Sequence, residues 1–130
     1  MLDVKALLTK MLNAVKVDYI IEQGTSGIWT YRKWNSGIAE CWGERSVNSA
    51  SYSSWGSIYS FDVLGVAYPT GLFNTTPNCI AQVSASGNTV SSINSSGGSN
   101  TTTPSVTAIR GTTASAGSVK VRYQAIGTWK

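Results

Sequence analysis

The chain has carboxylates but no histidine, so carboxylates are the side chains that could carry acid–base chemistry. They are Asp3, Asp18, Glu22, Glu40, Glu44 and Asp62. Glycoside hydrolysis needs two acids about 5 to 10 Å apart. If Glu40 pairs with Arg32, as argued below, Asp62 with Glu22 or Glu44 remains as the candidate pair. Without histidine there is no Ser-His-Asp or Cys-His arrangement, so we predict that the chain is not an enzyme.

The two cysteines, Cys41 and Cys79, are the only thiols. Two thiols without histidine do not complete a four-ligand zinc site, and the glycine pairs match no phosphate-binding loop. We therefore expect no metal and no cofactor. Cys41 lies in a predicted strand beside Trp42, which favours a structural thiol over a nucleophile. Both a disulfide and two free thiols are compatible with this spacing.

The aromatic residues are the side chains best suited to binding, because a Trp or Tyr ring packs on the apolar face of a sugar. Trp29, Tyr31, Trp34 and Trp42 lie on predicted strands and are expected in the core or at an interface. Tyr52, Trp55 and Tyr59 lie in the serine-rich stretch SASYSSWGSIY, whose polar neighbours indicate a loop or strand edge. We predict that these three residues form a shallow glycan-binding platform.

The central element is a β-hairpin over Ile28 to Gly43, with Asn35-Ser36-Gly37 as its loop. If Trp34 faces Ile38, Arg32 meets Glu40 and Thr30 meets Trp42 on one face. On the other face Lys33 meets Ala39, Tyr31 meets Cys41 and Trp29 meets Gly43. A one-residue slip would separate Arg32 from Glu40, so the charge pattern favours this register.

The N-terminal residues 1–17 are predicted to form a helix, because Val4, Leu8, Met11 and Val15 recur at heptad spacing. Leu7 and Leu12 widen this apolar seam, which favours three helices over two. A helix of this length is marginal in water and needs partners. We predict a homotrimeric coiled-coil stub; a helix packed on its own β domain is the alternative.

Residues 18–130 are predicted to form one all-β domain, a β-sandwich or jelly-roll-like fold, because Gly, Ser, Thr and Asn are abundant and charged residues make up only 12%. Residues 18–23 read as a strand ending at the turn 24–27, which gives a three-stranded meander with the central hairpin. The chain is expected to loosen after Gly43 and to form one or two strands in 57–68 and another at CIAQV. Residues 84–103 are expected to be loops between short strands, and 105–110 is expected to form a final hairpin with 118–130.

The charge distribution argues against nucleic acid, because the net charge of +4 is scattered without a basic run. No apolar run approaches 18 residues, and 1–17 lacks the features of a signal peptide. We expect a soluble chain that neither binds nucleic acid nor inserts into a membrane.

Two segments resemble a known family. The run EQGTSGIWTYRKWNSGIAECWG, from Glu22 to Gly43, and the closing IGTWK, from Ile126 to Lys130, are similar to the C-terminal β-rich domain of tail-fibre or baseplate receptor-binding proteins of tailed phages and prophages of Gram-positive hosts. The matching segments cover about residues 20–45 and 117–130, and the middle of the chain matches nothing.

This resemblance implies a homotrimeric virion component that adheres to a bacterial surface polysaccharide or wall polymer and joins other tail proteins through its N-terminal stalk. Assembly in the reducing bacterial cytoplasm would favour free thiols over a disulfide. A structural trimerisation or capsid or tail attachment module without glycan binding is the alternative. A small cell-wall-active glycoside hydrolase is the less favoured one.

Overall fold

The computed structural model describes residues 3–14, 17–50, 52–61, 65–85, 91–93, 100–111 and 117–130. In these ranges one short helix precedes two antiparallel sheets, which confirms the predicted all-β fold. The elements are α1 (Val4–Ala14), β1 (Ile20–Ser26), β2 (Trp29–Trp34), β3 (Ile38–Ala50), β4 (Ser53–Trp55), β5 (Ile58–Phe61), β6 (Asn78–Ala85), β7 (Ser91–Ile93), β8 (Thr107–Arg110) and β9 (Gly117–Thr128). The five-stranded sheet has the order β1-β2-β3-β9-β6, and the four-stranded sheet has the order β4-β5-β8-β7.

The central hairpin has the predicted register. Arg32 lies opposite Glu40, Thr30 opposite Trp42 and Lys33 opposite Ala39. The loop between the strands ends at Gly37, whose φ of 104° is readily adopted only by glycine. The turn chemistry and the charge pairing therefore set this part of the fold locally.

The strands on either side of the hairpin are longer than predicted. β1 continues through Gly24 to Ser26, and the turn falls at Gly27 and Ile28. The predicted loosening after Gly43 is wrong, because β3 runs to Ala50. Its polar second half is held in extended conformation by pairing with β9, as in the pair Ser46 and Lys120. The predicted meander of β1, β2 and β3 is confirmed.

The predicted final hairpin is wrong. β8 lies in the four-stranded sheet between β5 and β7, whereas β9 lies in the five-stranded sheet between β3 and β6. The alternating pattern of β9 fits this central position, since Val119, Val121, Tyr123 and Ala125 are buried on one face. The predicted strand at CIAQV is confirmed as β6.

The serine-rich stretch 84–103 contains the short strand β7, as expected for strands joined by loops. Residues 86–90 and 94–99 lie outside the described residues, as does Asp62. β6 also extends into this stretch, ending at Ala85.

The core is built around Trp29, which is 2% exposed. Its ring packs against Tyr68 and Tyr123 at centroid distances of 5.3 and 5.4 Å. Its indole N–H donates a hydrogen bond of 2.6 Å to the carbonyl oxygen of Ala67. Opposite Trp29 in the register, Gly43 leaves room for the backbone of Ile28, whose oxygen would clash with an added Cβ. These contacts fix the hairpin against the segment before β6.

Both cysteines are free, which is the state that the family resemblance favours. Cys41 and Cys79 pair with Ala125 from opposite sides of β9. Two strand spacings separate their Cα atoms by about 9 to 10 Å. A disulfide needs Cα atoms within about 7 Å, so this pairing keeps the thiols apart.

Helix α1 begins where Asp3 caps it, since the Asp3 carboxylate accepts hydrogen bonds from the backbone N–H groups of Lys5 and Ala6. The side chains of residues 3–11 are all exposed. The seam residues Val4, Leu8 and Met11 are 70%, 56% and 58% exposed, and Val15 lies outside the described residues. The side chains of Val4, Leu8 and Met11 are thus not buried on the β domain.

The helix is short compared with a membrane. No helix in the described parts of the chain is long and apolar enough to cross one.

Candidate functional site

The predicted platform of Tyr52, Trp55 and Tyr59 lies on and beside the hairpin of β4 and β5. Trp55 ends β4 next to a turn at Gly56, whose φ is 60°. It lies opposite Ile58 and is 54% exposed. The structure therefore places Trp55 at a hairpin tip where its ring can contact a ligand.

Tyr52 and Tyr59 are half-buried and do not share the exposed position of Trp55. The ring of Tyr52 packs on Phe61 at 5.9 Å, and the guanidinium of Arg110 lies 5.3 Å from its centroid. Burial raises the pKa of Tyr52. Tyr59 is half-buried and alternates with Ile58, so it lies on the opposite face from Trp55. The structure does not bring the three aromatic residues onto one face; their ligand role stays a prediction.

A larger concave surface lies on the outer face of the five-stranded sheet, away from the core. We call it the outer-face groove. Its volume is about 710 Å³, within the range of about 300 to 1,000 Å³ typical of ligand sites. Its floor is the cross-strand row Trp42, Gln124 and Ile80, contributed by β3, β9 and β6.

Two polar rims flank this floor. One is formed by Arg32 and Glu40, which lie opposite each other on β2 and β3. The other is the row Glu44, Arg122 and Gln82 on β3, β9 and β6. Because neighbouring strands lie about 4.8 Å apart, the groove crosses four strands over roughly 14 Å.

Ion pairs hold the first rim in place. Arg32 Nη1 lies 3.7 Å from Glu40 Oε1, and the Arg32 guanidinium lies 4.7 Å from the centroid of the Trp42 ring. The indole N–H of Trp34 also points to Glu40, at 3.4 Å. Trp42 is therefore partly covered by a cation that still has N–H donors directed to solvent.

The second rim joins one carboxylate to two cations. Glu44 lies 3.5 Å from Arg122 Nε and 3.7 Å from Lys120 Nζ. Lys120 is outside the lining of the groove, which itself contains two arginines and two glutamates. Opposite charges are therefore paired within the lining.

The two carboxylates of the groove, Glu40 and Glu44, are held in ion pairs with cations. They are four residues apart on β3, which places their Cα atoms about 13 Å apart. A hydrolytic pair needs its carboxyl groups about 5 to 10 Å apart, and Asp62, the predicted partner of Glu22 or Glu44, lies outside the described residues. Glu22 is engaged by Lys33 at 3.3 Å and by the Tyr31 hydroxyl at 3.2 Å. No group of His, Cys, Asp or Glu in the described part of the chain could hold a metal ion.

Sequence reasoning missed the groove because it assigned Trp42 to the core or an interface. The structure places Trp42 half-buried on the outer face, whereas Trp29 occupies the core as predicted. A signal was present in the hairpin register, which sets Trp42 on the same face as Arg32 and Glu40. Two charged neighbours on a face indicate solvent. The residues from β6 and β9 could not be found in this way, because their pairing is long-range.

Comparison with known proteins gives matches in structure alone. No family model and no curated protein matches the chain. Solved structures that share this fold include tail fibres. One is the N-truncated R1-type pyocin tail fibre, with a TM-score of 0.61 and 16% identity over 92% of this chain and 94% of that chain.

Longer fibre fragments show the same fold. A C-terminal fragment of the R1 pyocin fibre of P. aeruginosa matches with a TM-score of 0.60 and 17% identity, over 92% of this chain and 31% of that chain. A C-terminal fragment of the R2 pyocin fibre of P. aeruginosa matches with a TM-score of 0.50 and 15% identity, over 92% of this chain and 29% of that chain. The chain thus spans about a third of these two fragments. The comparison gives no support for a Gram-positive host.

Proposed function

We propose that the chain is the distal, C-terminal β domain of a phage-type tail fibre that adheres to a surface glycan or wall polymer of a bacterium. The observation that carries this proposal is the shared fold, which covers 92% of this chain and 94% of the R1-type pyocin tail fibre structure. Its location would be the tail of a virion, with assembly in the bacterial cytoplasm. The free thiols of Cys41 and Cys79 suit a reducing compartment.

The assembly that we propose is a homotrimer held by a three-helix seam, with the stalk leading to other tail proteins. The exposed apolar residues of α1 support it, because Val4, Leu8 and Met11 are not covered within the single chain and would be buried in a three-helix seam. Three copies of a weak site on one rigid tip bind a repeating polymer more tightly than one copy does.

For ligand contact within the predicted platform we propose Trp55, the exposed residue of the three. Tyr52 packs toward Phe61 and Tyr59 lies on the other face from Trp55, so we assign both a supporting role in holding the hairpin. An aromatic ring at a hairpin tip can stack on the apolar face of a sugar without rearrangement of the core.

Adhesion to whole cells tests the proposed function. Fluorescently labelled protein is incubated with a panel of bacterial strains, before and after periodate oxidation of their surface glycans. We expect binding to some strains and its loss after oxidation. Absence of binding to every strain would refute adhesion and favour the alternative function, a structural attachment module that binds no glycan. Release of reducing sugars from purified cell walls would instead indicate a hydrolase.

A further inference from the structure

The floor of the outer-face groove combines apolar and amide side chains in one straight row. Ile80 is 72% exposed, and it lies in the same cross-strand row as Gln124 and Trp42. A large apolar side chain this exposed gains free energy when a ligand covers it. An amide between two apolar contacts can both donate and accept hydrogen bonds. Sugar rings offer the matching pattern of apolar C–H faces edged by hydroxyl groups.

The rims indicate what charge the ligand has. Arg32 pairs with Glu40 and Arg122 pairs with Glu44, so the groove carries no net charge along its lining. A polyanion would meet two carboxylates, and a polycation would meet two guanidinium groups. A neutral ligand with many hydroxyls meets donors and acceptors at both rims and leaves the ion pairs intact.

A second copy of the chain fits the groove less well. A protein surface seated there would remove four ionised side chains from water, and desolvation of charges commonly exceeds what their pairing returns. Hydroxyl groups and retained water can take the place of the solvent that these side chains lose. The apolar seam on α1, in contrast, has charged neighbours only at its edges and suits another copy.

From these observations we infer that the outer-face groove is a binding site for a neutral oligosaccharide, distinct from the hairpin tip at Trp55. The site deepens the proposed adhesive function and rests on it. The saccharide lies across β3, β9 and β6, with ring faces against Trp42 and Ile80 and hydroxyls at Gln124 and the rims.

The test compares two double variants of the full chain. Ile80→Ala with Gln124→Ala removes the floor, and both side chains are exposed, so the fold does not depend on them. The matched control is Ile38→Ala with Gln23→Ala, which changes the same residue types on the outer face of the same sheet but outside the groove lining.

Binding is measured on an array of neutral oligosaccharides of glucose, galactose, mannose and N-acetylglucosamine, with teichoic acid as the polyanionic probe. Thermal unfolding and sedimentation are measured on the same samples. We expect the unmutated protein to bind a neutral oligosaccharide. The groove variant should bind it at least about tenfold more weakly, with unchanged mass and melting, and the control should bind normally.

Other outcomes separate the inference from the function on which it rests. If the unmutated protein binds no probe on the array and no cell, both are overturned. If it binds but the groove variant binds equally well, or if only teichoic acid is bound, the groove assignment alone is overturned. A fall in sedimenting mass in the groove variant would show a subunit contact and would also overturn it. If the double variant fails to fold, binding is measured instead on Gln82→Ala, which changes an exposed residue of the rim. Normal binding by this variant would overturn the groove assignment.

Discussion

The trimer seam of α1 gives the prediction whose magnitude follows most directly from the structure. Leu8 is 56% exposed in the single chain. Full burial of a leucine side chain is worth about 1.5 to 3 kcal/mol, so burial of the exposed part contributes about 1 to 1.5 kcal/mol in each subunit. Three copies meet in a trimer, which brings the contribution to about 3 to 5 kcal/mol.

Leu8→Asp removes this contribution and adds the cost of a carboxylate in an apolar seam. At 1.4 kcal/mol per factor of ten, the association constant should fall by about a hundredfold to a few thousandfold. Adding Val15→Asp should weaken assembly further. Sedimentation at several concentrations measures the effect, since the unmutated protein should report about three times 13.8 kDa.

Ala6→Asp is the matched control. Ala6 is two residues before Leu8, about 200° around the helix, and it is also exposed. The substitution adds the same charge and costs at least as much helix propensity. We expect the control to keep its trimeric mass. A monomeric unmutated protein, or an equal loss of mass in both variants, would refute the reasoning.

The remaining predictions concern the β domain. Trp55→Ala should weaken cell adhesion and leave the midpoint of thermal unfolding within a few degrees, because surface substitutions cost little. Trp29→Ala should lower the midpoint by about 12 to 20 °C, from a loss of about 3 to 5 kcal/mol at about 4 °C per kcal/mol. Gly43→Ala should prevent stable folding, measured by circular dichroism, because its Cβ would clash with the backbone oxygen of Ile28. Burial raises the pKa of Cys41 from 9.0 to about 12 and that of Tyr123 from 10.0 to about 12. Because both pKa values are raised in the folded state, these groups contribute their full stability below about pH 9, and the contribution is lost as the pH rises toward 12. The midpoint of thermal unfolding should therefore fall between these pH values. A midpoint that does not change with pH in this window would contradict the prediction.

The sequence alone determined the features that depend on near neighbours. The register of the central hairpin followed from a loop of three residues and from Arg32 meeting Glu40, which are eight residues apart. The helix followed from heptad spacing, and in the described residues it spans Val4–Ala14. The all-β class followed from composition, and the exposure of Trp55 followed from its polar neighbours. The register, the helix and this exposure rest on interactions within about ten residues, where local geometry limits the alternatives.

Tertiary structure alone decided which strand lies beside which. The last strand pairs with β3 and β6 and not with its sequence neighbour β8, so Cys41 and Cys79 both face Ala125, and Trp42, Gln124 and Ile80 come into one row. Trp42 and Gln124 are more than eighty residues apart in sequence. The alternating pattern of β9 indicates only which of its faces is apolar. Any strand with an apolar face on the same side could pair with it. The choice among such partners is made by the packing of a core to which both sheets contribute, as Val121 and Ala108 do, and no local pattern contains this property of the whole chain.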